Sequence, residues 1–511
     1  MNLQRHGLPL LTSLVPDFMK QKFSACLLIP CFSLLLLLIN TPCSWSQPAP
    51  QQRDSLKPGL SAAAVFLSKY VRIPSVSGNE KEAAAFMSGE CRQKGLFVSQ
   101  ITDRPASYNF AASLFPLSLN KPNIIFLNHL DVVPPGDSSN WKYPPFGGKI
   151  AEGKVWGRGS FDNKGLAAIQ LFSMLKFADS SGKKDLPYNV TLLCVSGEET
   201  GGQLGSALVA GDFQSVFNPA VVIGEGGSGL EKVSFLPRAG TYFGISVAEK
   251  SFLWLKVECL LSGSGHSAVA GSEYADKRLV NGLHRLMEAR QPVRIIPLTK
   301  RMFSDIGHKI GGLRGFVCCH IQWKLFRPFL QKYTAGNPEL KSILCNMVTV
   351  TSLSGSSESP NQNAQEASAV LDCRYLPGTS SGEMLRFVNK NLHDTLLKVS
   401  IIRSGDRPLI TRPEYFYEQL CKALRCVYRG SEIAPILFPA TNDNSYYRSS
   451  GCPVYGLNPL IVSSAQIEAV HNYNEFIDLE DIDKGVEVYF RFLHSVMFPE
   501  PAAVNGSANP Q

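Results

Sequence analysis

The sequence predicts an α/β protein: a doubly wound, mainly parallel sheet interrupted by a smaller ferredoxin-like α/β unit. Three observations carry this. From about residue 60 to 245, short apolar runs alternate with amphipathic stretches, the pattern of strands joined by crossover helices. The alternation resumes from about residue 412. Between the two, strand-like and helix-like segments follow in the order βαββαβ, that of a ferredoxin-like sandwich.

Taken in chain order, residues 1–46 read as an export leader. Met19-Lys-Gln-Lys22 is basic, Ala25–Ile39 is apolar, and Ser44-Trp-Ser46 before Gln47 is a small-x-small cleavage pattern. The apolar core is shorter than the ~20 residues a spanning helix needs. The leader therefore reads as a cleaved signal peptide, with retention as a signal anchor the alternative. This implies a periplasmic, secreted or secretory-pathway protein, and contact with a membrane only if the leader is uncleaved. Residues 47–58 are Pro/Gln-rich and read as a linker.

Residues 59–246 form the first part of the larger domain, with helix Lys81–Lys94, strand Asn123–Asn128, helix Gly165–Ala178, strand Asn189–Ser196 and strand Ala220–Gly224. Residues 247–406 form the inserted unit. Phe252–Leu261 alternates as a strand, Ala275–Ala289 is amphipathic, and Met347–Leu353 and Ala367–Tyr375 are strands. Ser381–Asn391 is helical, and Leu397–Ile402 is the last strand. Residues 295–345 exceed what this unit needs; rich in Arg, Lys, Phe and Gly, they read as helices over the cleft. Residues 407–498 complete the larger domain with helix Pro413–Ala423, a loop through Asn444 and helix Leu479–Val496, and 499–511 is a flexible tail.

At 511 residues the chain exceeds one core and implies two or three domains. A hydrophobic content of 44% and a charged content of 18% describe an ordinary globular enzyme. The net charge of +8 comes without a dense Lys/Arg stripe interleaved with aromatics, which argues against nucleic acid as a partner. Of 13 cysteines, three lie in the leader and the rest are scattered without paired spacing. One or two disulfides, for example between Cys421 and Cys426, are compatible with export. The vicinal pair Cys318-Cys319 beside His320 lacks the ligand spacing of a zinc ribbon. Asn189-Val-Thr and Asn505-Gly-Ser match the glycosylation sequon.

The chemistry concentrates at strand ends. The apolar run Val190-Thr-Leu-Leu-Cys-Val195 stops at the acid pair Glu198-Glu199, followed by Thr200-Gly201-Gly202. In open α/β sheets this edge binds ligands. Two neighbouring carboxylates repel unless a cation or a proton sits between them, so the pair calls for a metal. Ile124–Asn128 runs into His129-Leu-Asp131. The segment Val155–Gly165 carries Asp162, Ala220–Ile223 ends near Glu225, and His471 lies in Ala469–Glu475. Two histidines with several carboxylates suit a borderline-soft cation such as Zn²⁺. Asp131, two residues after His129, is placed to orient an imidazole or polarise a water.

The segments His129-Leu-Asp-Val-Val-Pro134, Gly157-Arg-Gly-Ser-Phe-Asp-Asn-Lys-Gly165 and Ser196-Gly-Glu-Glu-Thr200 resemble the signatures of the co-catalytic zinc metallopeptidases. That family includes aminoacylase, carnosine dipeptidase, glutamate carboxypeptidase, succinyl-diaminopimelate desuccinylase and the Gly-X carboxypeptidases. The resemblance covers roughly residues 60–497. Trp141-Lys-Tyr-Pro-Pro-Phe146 leans toward the Gly-X carboxypeptidase and N-acyl-amino-acid hydrolase branch. The motifs are specific for the family and say little about the substrate.

The resemblance implies two Zn²⁺ per chain, with Mn²⁺ or Co²⁺ able to use similar ligands. His129 is implied as a ligand of the first ion and His471 of the second. Asp162 would bridge them and precede a cis peptide bond. Glu199 would bind one ion and Glu225 the other, while Glu198 is the implied general acid/base. The inserted unit becomes a lid, often a dimerisation domain. Ser262-Gly-Ser-Gly-His266-Ser resembles the lid motif whose histidine reaches an active site, which makes His266 an oxyanion or carbonyl contact. Arg374, in Asp372-Cys-Arg, is a candidate clamp for a substrate carboxylate; a structural pair with Asp372 is the alternative. Asn361 matches the family asparagine, although Asn361-Gln-Asn-Ala364 departs from Asn-Val-Ile-Pro. In Thr441-Asn-Asp-Asn-Ser-Tyr-Tyr-Arg448, Asp443 matches the pattern Thr-Asp-Ser/Ala-Arg, but Ser445 stands at the arginine position. Carboxylate recognition then falls to Arg448 or to the 295–345 segment. The implied function is carboxypeptidase-like hydrolysis beside a free carboxylate, with an N-acyl-amino-acid hydrolase as the alternative. A non-catalytic binding protein on the same fold is the third reading.

Overall fold

The computed structural model describes residues 60–499 apart from 103, 182–184, 232–239, 262–272, 356–358, 360 and 406–407. The leader, the 47–58 linker, His266, the Asn505 sequon and nearly all of the tail lie outside the described residues.

Fifteen strands follow in order among the described residues: β1 (Phe97–Gln100), β2 (Phe110–Ser113), β3 (Asn123–His129), β4 (Lys149–Ala151), β5 (Lys154–Trp156), β6 (Asn189–Val195), β7 (Pro219–Leu230), β8 (Tyr242–Glu249), β9 (Ser251–Leu260), β10 (Met347–Gly355), β11 (Glu366–Tyr375), β12 (Leu397–Ser404), β13 (Glu432–Phe438), β14 (Val454–Ile461) and β15 (Phe476–Asp478). Eight build the main sheet in the order β1-β2-β6-β3-β7-β14-β8-β13. Its centre is parallel, with β6, β3, β7 and β14 running in one direction.

These central strands are buried on both faces, which explains their unbroken apolar runs. Along β3, Ile124 and Phe126 face a core with Leu166, Ile169, Leu420 and Phe492, from the helices Lys164–Ser181, Tyr415–Val427 and Leu479–Met497. Ile125 and Leu127 face the opposite core with Val209, Phe213 and Phe217 of the helix Ser206–Phe217. The sheet is thus wound on both faces, as its alternating pattern implied.

The four-stranded sheet has the order β10-β11-β9-β12, every neighbour antiparallel. With the helices Ala275–Glu288 and Ser381–Leu392 on one face, this is the ferredoxin-like arrangement. Leu253, Leu255 and Val257 of β9 point to those helices; Phe252 and Trp254 point to the other face. A third, small sheet (β15-β5-β4) braces the segment before Asp162.

Four expectations change. Residues 295–345 are helical, but Pro297–Ile310 packs against β13, with Ile436 against the segment's own core, so the described helices cover the edge of the main sheet. The expected loop before Asn444 contains β13. Cys421 and Cys426 are free thiols, and Asn189 is buried at the start of β6, where its side chain bonds the Phe115 backbone; it is closed to a glycan.

Candidate metal centre

Strands β6, β3 and β7 are neighbours and parallel, so their carboxyl ends share one sheet edge. β3 delivers His129, followed by Asp131. β6 is followed by Ser196 and Gly197, whose φ of +68° reverses the chain into the turn Glu198–Thr200; other residues adopt that φ with strain. β7 delivers Glu225. At Gly456 of the neighbouring β14 a side chain would stand 2.3 Å from the Glu225 carbonyl, so only glycine lets the two backbones come this close. The Asn442 and Asn444 side chains donate to that same carbonyl, at 3.1 and 2.8 Å.

Asp131 is fully buried and docks the acid pair. Its Oδ1 accepts from the Glu198 amide at 3.0 Å, its Oδ2 from the Glu199 amide at 3.2 Å and from Ser77 Oγ at 2.7 Å. Its backbone oxygen lies 3.0 Å from His129 Nδ1 and fixes that ring. The imidazole-orienting role fits this geometry.

The two histidines meet across one aspartate. Asp162 Oδ1 lies 3.2 Å from His129 Nε2, and its Oδ2 lies 3.3 Å from His471 Nε2. Glu199 Oε2 is 3.1 Å from His471 Nε2, and Glu225 Oε2 is 3.7 Å from His129 Nε2. His129, Glu198 and Glu225 bring donor atoms within 4.8 Å of one another, as do His129, Asp162 and Glu199. The Asp162–Asn163 peptide is cis, and Asn163 Nδ2 donates to Glu225 at 2.7 Å.

The electrostatics ask for positive charge. Burial alone would lower the His129 pKa, yet Asp131, Asp162 and Glu225 hold it well above the usual value. Hydrogen bonds to Asp162 and Glu199 lift His471 to about 10. Burial, then Glu225, raises Glu198 strongly, and burial raises Glu199. Four carboxylates and two imidazoles share a small volume, and Glu199 Oε1 is buried without a partner. A donor set of N and O ligands with an unsatisfied carboxylate oxygen fits one or more divalent cations.

A model of peptidase family M20/M25/M40 matches residues 125–495. The chain belongs to this family. It is therefore a metallohydrolase. The mouse N-fatty-acyl-amino acid synthase/hydrolase PM20D1 is 25% identical over 480 residues, 89% of this chain and 91% of that protein. The probable carboxypeptidase S-like 2 of Dictyostelium discoideum is 22% identical over 392 residues, 76% of this chain and 74% of that protein. Among solved structures, the M20 family metallo-carboxypeptidase Sso-CP2 from Sulfolobus solfataricus superposes with a TM-score of 0.64 at 17% identity, covering 85% of this chain and 98% of that one. Human carnosine dipeptidase 1 gives 0.61 at 17% identity, covering 85% and 96%. These structural likenesses concern the fold.

The residues expected at the substrate fall apart from one another. Asp443 is 6% exposed beside the cluster, and burial raises its pKa to about 7. Arg374 pairs with Asp372 through Nε at 2.9 Å within the lid, the structural alternative. Asn361 lies in an exposed turn, where Ser359 Oγ contacts it at 2.5 Å. Arg448 is corrected. It is 4% exposed, paired with Glu249, and it donates to Thr411 Oγ1 at 2.9 Å and to the Val454 carbonyl at 3.1 Å. Its donors are committed inside the protein, so it is not a carboxylate clamp.

Two residues near the cluster escaped the sequence reading. Glu475 is 1% exposed and accepts from Arg158 Nη1 at 2.7 Å and from the amides of Gly159, Phe161 and Asp162 at 2.9–3.0 Å. Arg403, on β12, donates to the Thr200 carbonyl at 2.9 Å and to Gly201, in the turn that follows Glu198 and Glu199. Their partners are backbone atoms and, for Glu475, a guanidinium over 300 residues away, which leave no sequence signature.

Proposed function

We propose that the chain hydrolyses an amide bond beside a free C-terminal carboxylate, in the manner of a carboxypeptidase, with Glu198 as the general acid/base. The observation that supports this reading best is Asp162, with one oxygen toward each histidine. His129, Asp162 and Glu225 would hold one divalent cation, and Asp162, Glu199 and His471 a second. When bound, the pair would lower the pKa of a water and polarise the scissile carbonyl. Glu198 brings a carboxylate oxygen within 4.8 Å of donor atoms of His129 and Glu225. Its carboxylate takes a proton from the attacking water and returns it to the leaving nitrogen. Asp131 holds the backbone of that turn, so the base and its neighbour Glu199 move together. His266 would supply a contact to the carbonyl oxygen, and Asp443 would lie on the substrate side. Zinc is the preferred ion on the N/O donor set.

A second reading is an N-acyl-amino-acid hydrolase, favoured by the likeness to the N-fatty-acyl-amino acid synthase/hydrolase over most of the chain. The leader supports export, and the edge strands of the lid sheet, β10 and β12, are candidates for a homodimer contact.

Initial rates on dipeptides, their C-terminal amides and N-acyl amino acids test the assignment. Cleavage of free dipeptides with loss on amidation is expected. Cleavage of N-fatty-acyl amino acids alone would select the second reading, and cleavage of neither class by the metal-loaded protein would contradict both.

A further inference from the structure

The helices within 297–344 surround their own core of Met302, Phe303, Leu330, Leu340 and Leu344. Several large apolar side chains of this segment are left exposed. Leu313 is 53% exposed, Phe316 45%, Trp323 44% and Leu325 70%. The rings are contiguous: Phe316 lies 5.7 Å from Trp323, which lies 6.0 Å from Phe326. Scattered exposed apolar side chains are ordinary, but a contiguous group marks a contact surface. The segment's own charge here has one sign. No acidic residue occurs from Ile306 to Pro338. Lys324, Arg327 and Lys332 are exposed, and no carboxylate pairs with them among the described residues.

We propose that this face docks peripherally on a bilayer containing anionic lipid. Tryptophan is favoured at the level of the headgroups, and leucine beside it reaches the acyl boundary. Lysine and arginine close to the surface attract anionic headgroups. The charge distribution selects this occupant over a second copy of the chain, whose matching face would carry the same positive charge. No helix among the described residues is long and apolar enough to cross a membrane, so the contact is one of lying on the surface. The inference is independent of which amide substrate the metal centre takes.

The test uses the full chain and a local probe. Trp323 fluorescence, taken as the difference between the wild type and Trp323→Phe, is measured with brominated-lipid vesicles of phosphatidylcholine, with and without phosphatidylserine. The proposal expects quenching of the Trp323 signal on the phosphatidylserine vesicles and its loss at high salt. The double variant Lys324→Glu/Arg327→Glu should bind these vesicles about tenfold or more weakly, with hydrolysis of a soluble substrate unchanged. A chain held at the vesicle by its N-terminal segment alone would leave Trp323 unquenched and overturn the proposal. So would quenching that ignores phosphatidylserine. A Trp323 response to duplex oligonucleotide, or to protein concentration without lipid, in place of a response to vesicles would also overturn it.

Discussion

Glu475 touches neither histidine, yet its carboxylate gathers Arg158 and three backbone amides of the loop that presents Asp162. Arg158 also donates to the Asn472 carbonyl at 2.9 Å, one residue after His471. The pair therefore fixes the Asp162 loop against the His471 loop. In Glu475→Gln one oxygen becomes an NH₂ that faces donors, and Arg158 is left buried without its counter-charge. Breaking one side of a buried pair costs roughly 3–5 kcal/mol. Loss of an outer partner of a ligand loop lowers metal affinity roughly 10–100-fold. Urea unfolding and a zinc titration of this variant check both outcomes. Wild-type affinity would show that the loop holds its shape without Glu475.

The strand carrying the chain from the main sheet into the lid raises a different question. Lys250, between β8 and β9, is 1% exposed, and its Nζ donates to the Cys345 carbonyl at 2.7 Å. Burial lowers its pKa to about 8. The unfolded lysine keeps its proton to about 10.4. Between these values the unfolded chain binds more protons, so this residue makes stability rise with pH; below about 8 both states are charged and its contribution is constant. Compared with Lys250→Met at each pH, the wild type should gain on the order of 3 kcal/mol between pH 8 and 10.5. A flat difference in denaturation midpoints across that range would contradict this. The legibility of the elements follows similar physics. β3 and β6 were readable because strands buried on both faces are continuously apolar. β13 was not, because Pro435 interrupts it; proline is tolerated there since β13 is an edge strand paired only with β8. The residues of the candidate metal centre were readable as short motifs at strand ends. The partner of Arg448 was not, because Glu249 lies far from it in sequence and only the fold unites them.

Across the whole molecule, the lid meets the larger domain at two levels. At the root, Arg448 joins Glu249 on the outgoing strand to Thr411 on the returning segment, and the Thr411 amide bonds Val247 at 2.8 Å. Farther out, Arg403 crosses from β12 to the turn behind Glu199 and lies 3.2 Å from the Tyr446 hydroxyl. Its guanidinium also lies over the Phe252 and Trp254 rings. Arg403→Ala is expected to leave metal content unchanged and to lower kcat/KM about tenfold or more, since hydrogen bonds from a charged donor contribute roughly 1.5–3 kcal/mol. Arg403→Lys should recover only part of this, because an ammonium cannot reproduce the planar fork. Unchanged kinetics in Arg403→Ala would show that the lid and the catalytic turn are independent.

The most direct test of the central claim is the metal content of the purified protein measured beside its turnover, for the wild type and Glu198→Gln. Two divalent ions per chain are expected in both, with turnover lower by about a hundredfold or more in the variant. Metal lost from the variant would make Glu198 a ligand. Full turnover in the variant, or wild-type activity with no bound metal, would contradict the account.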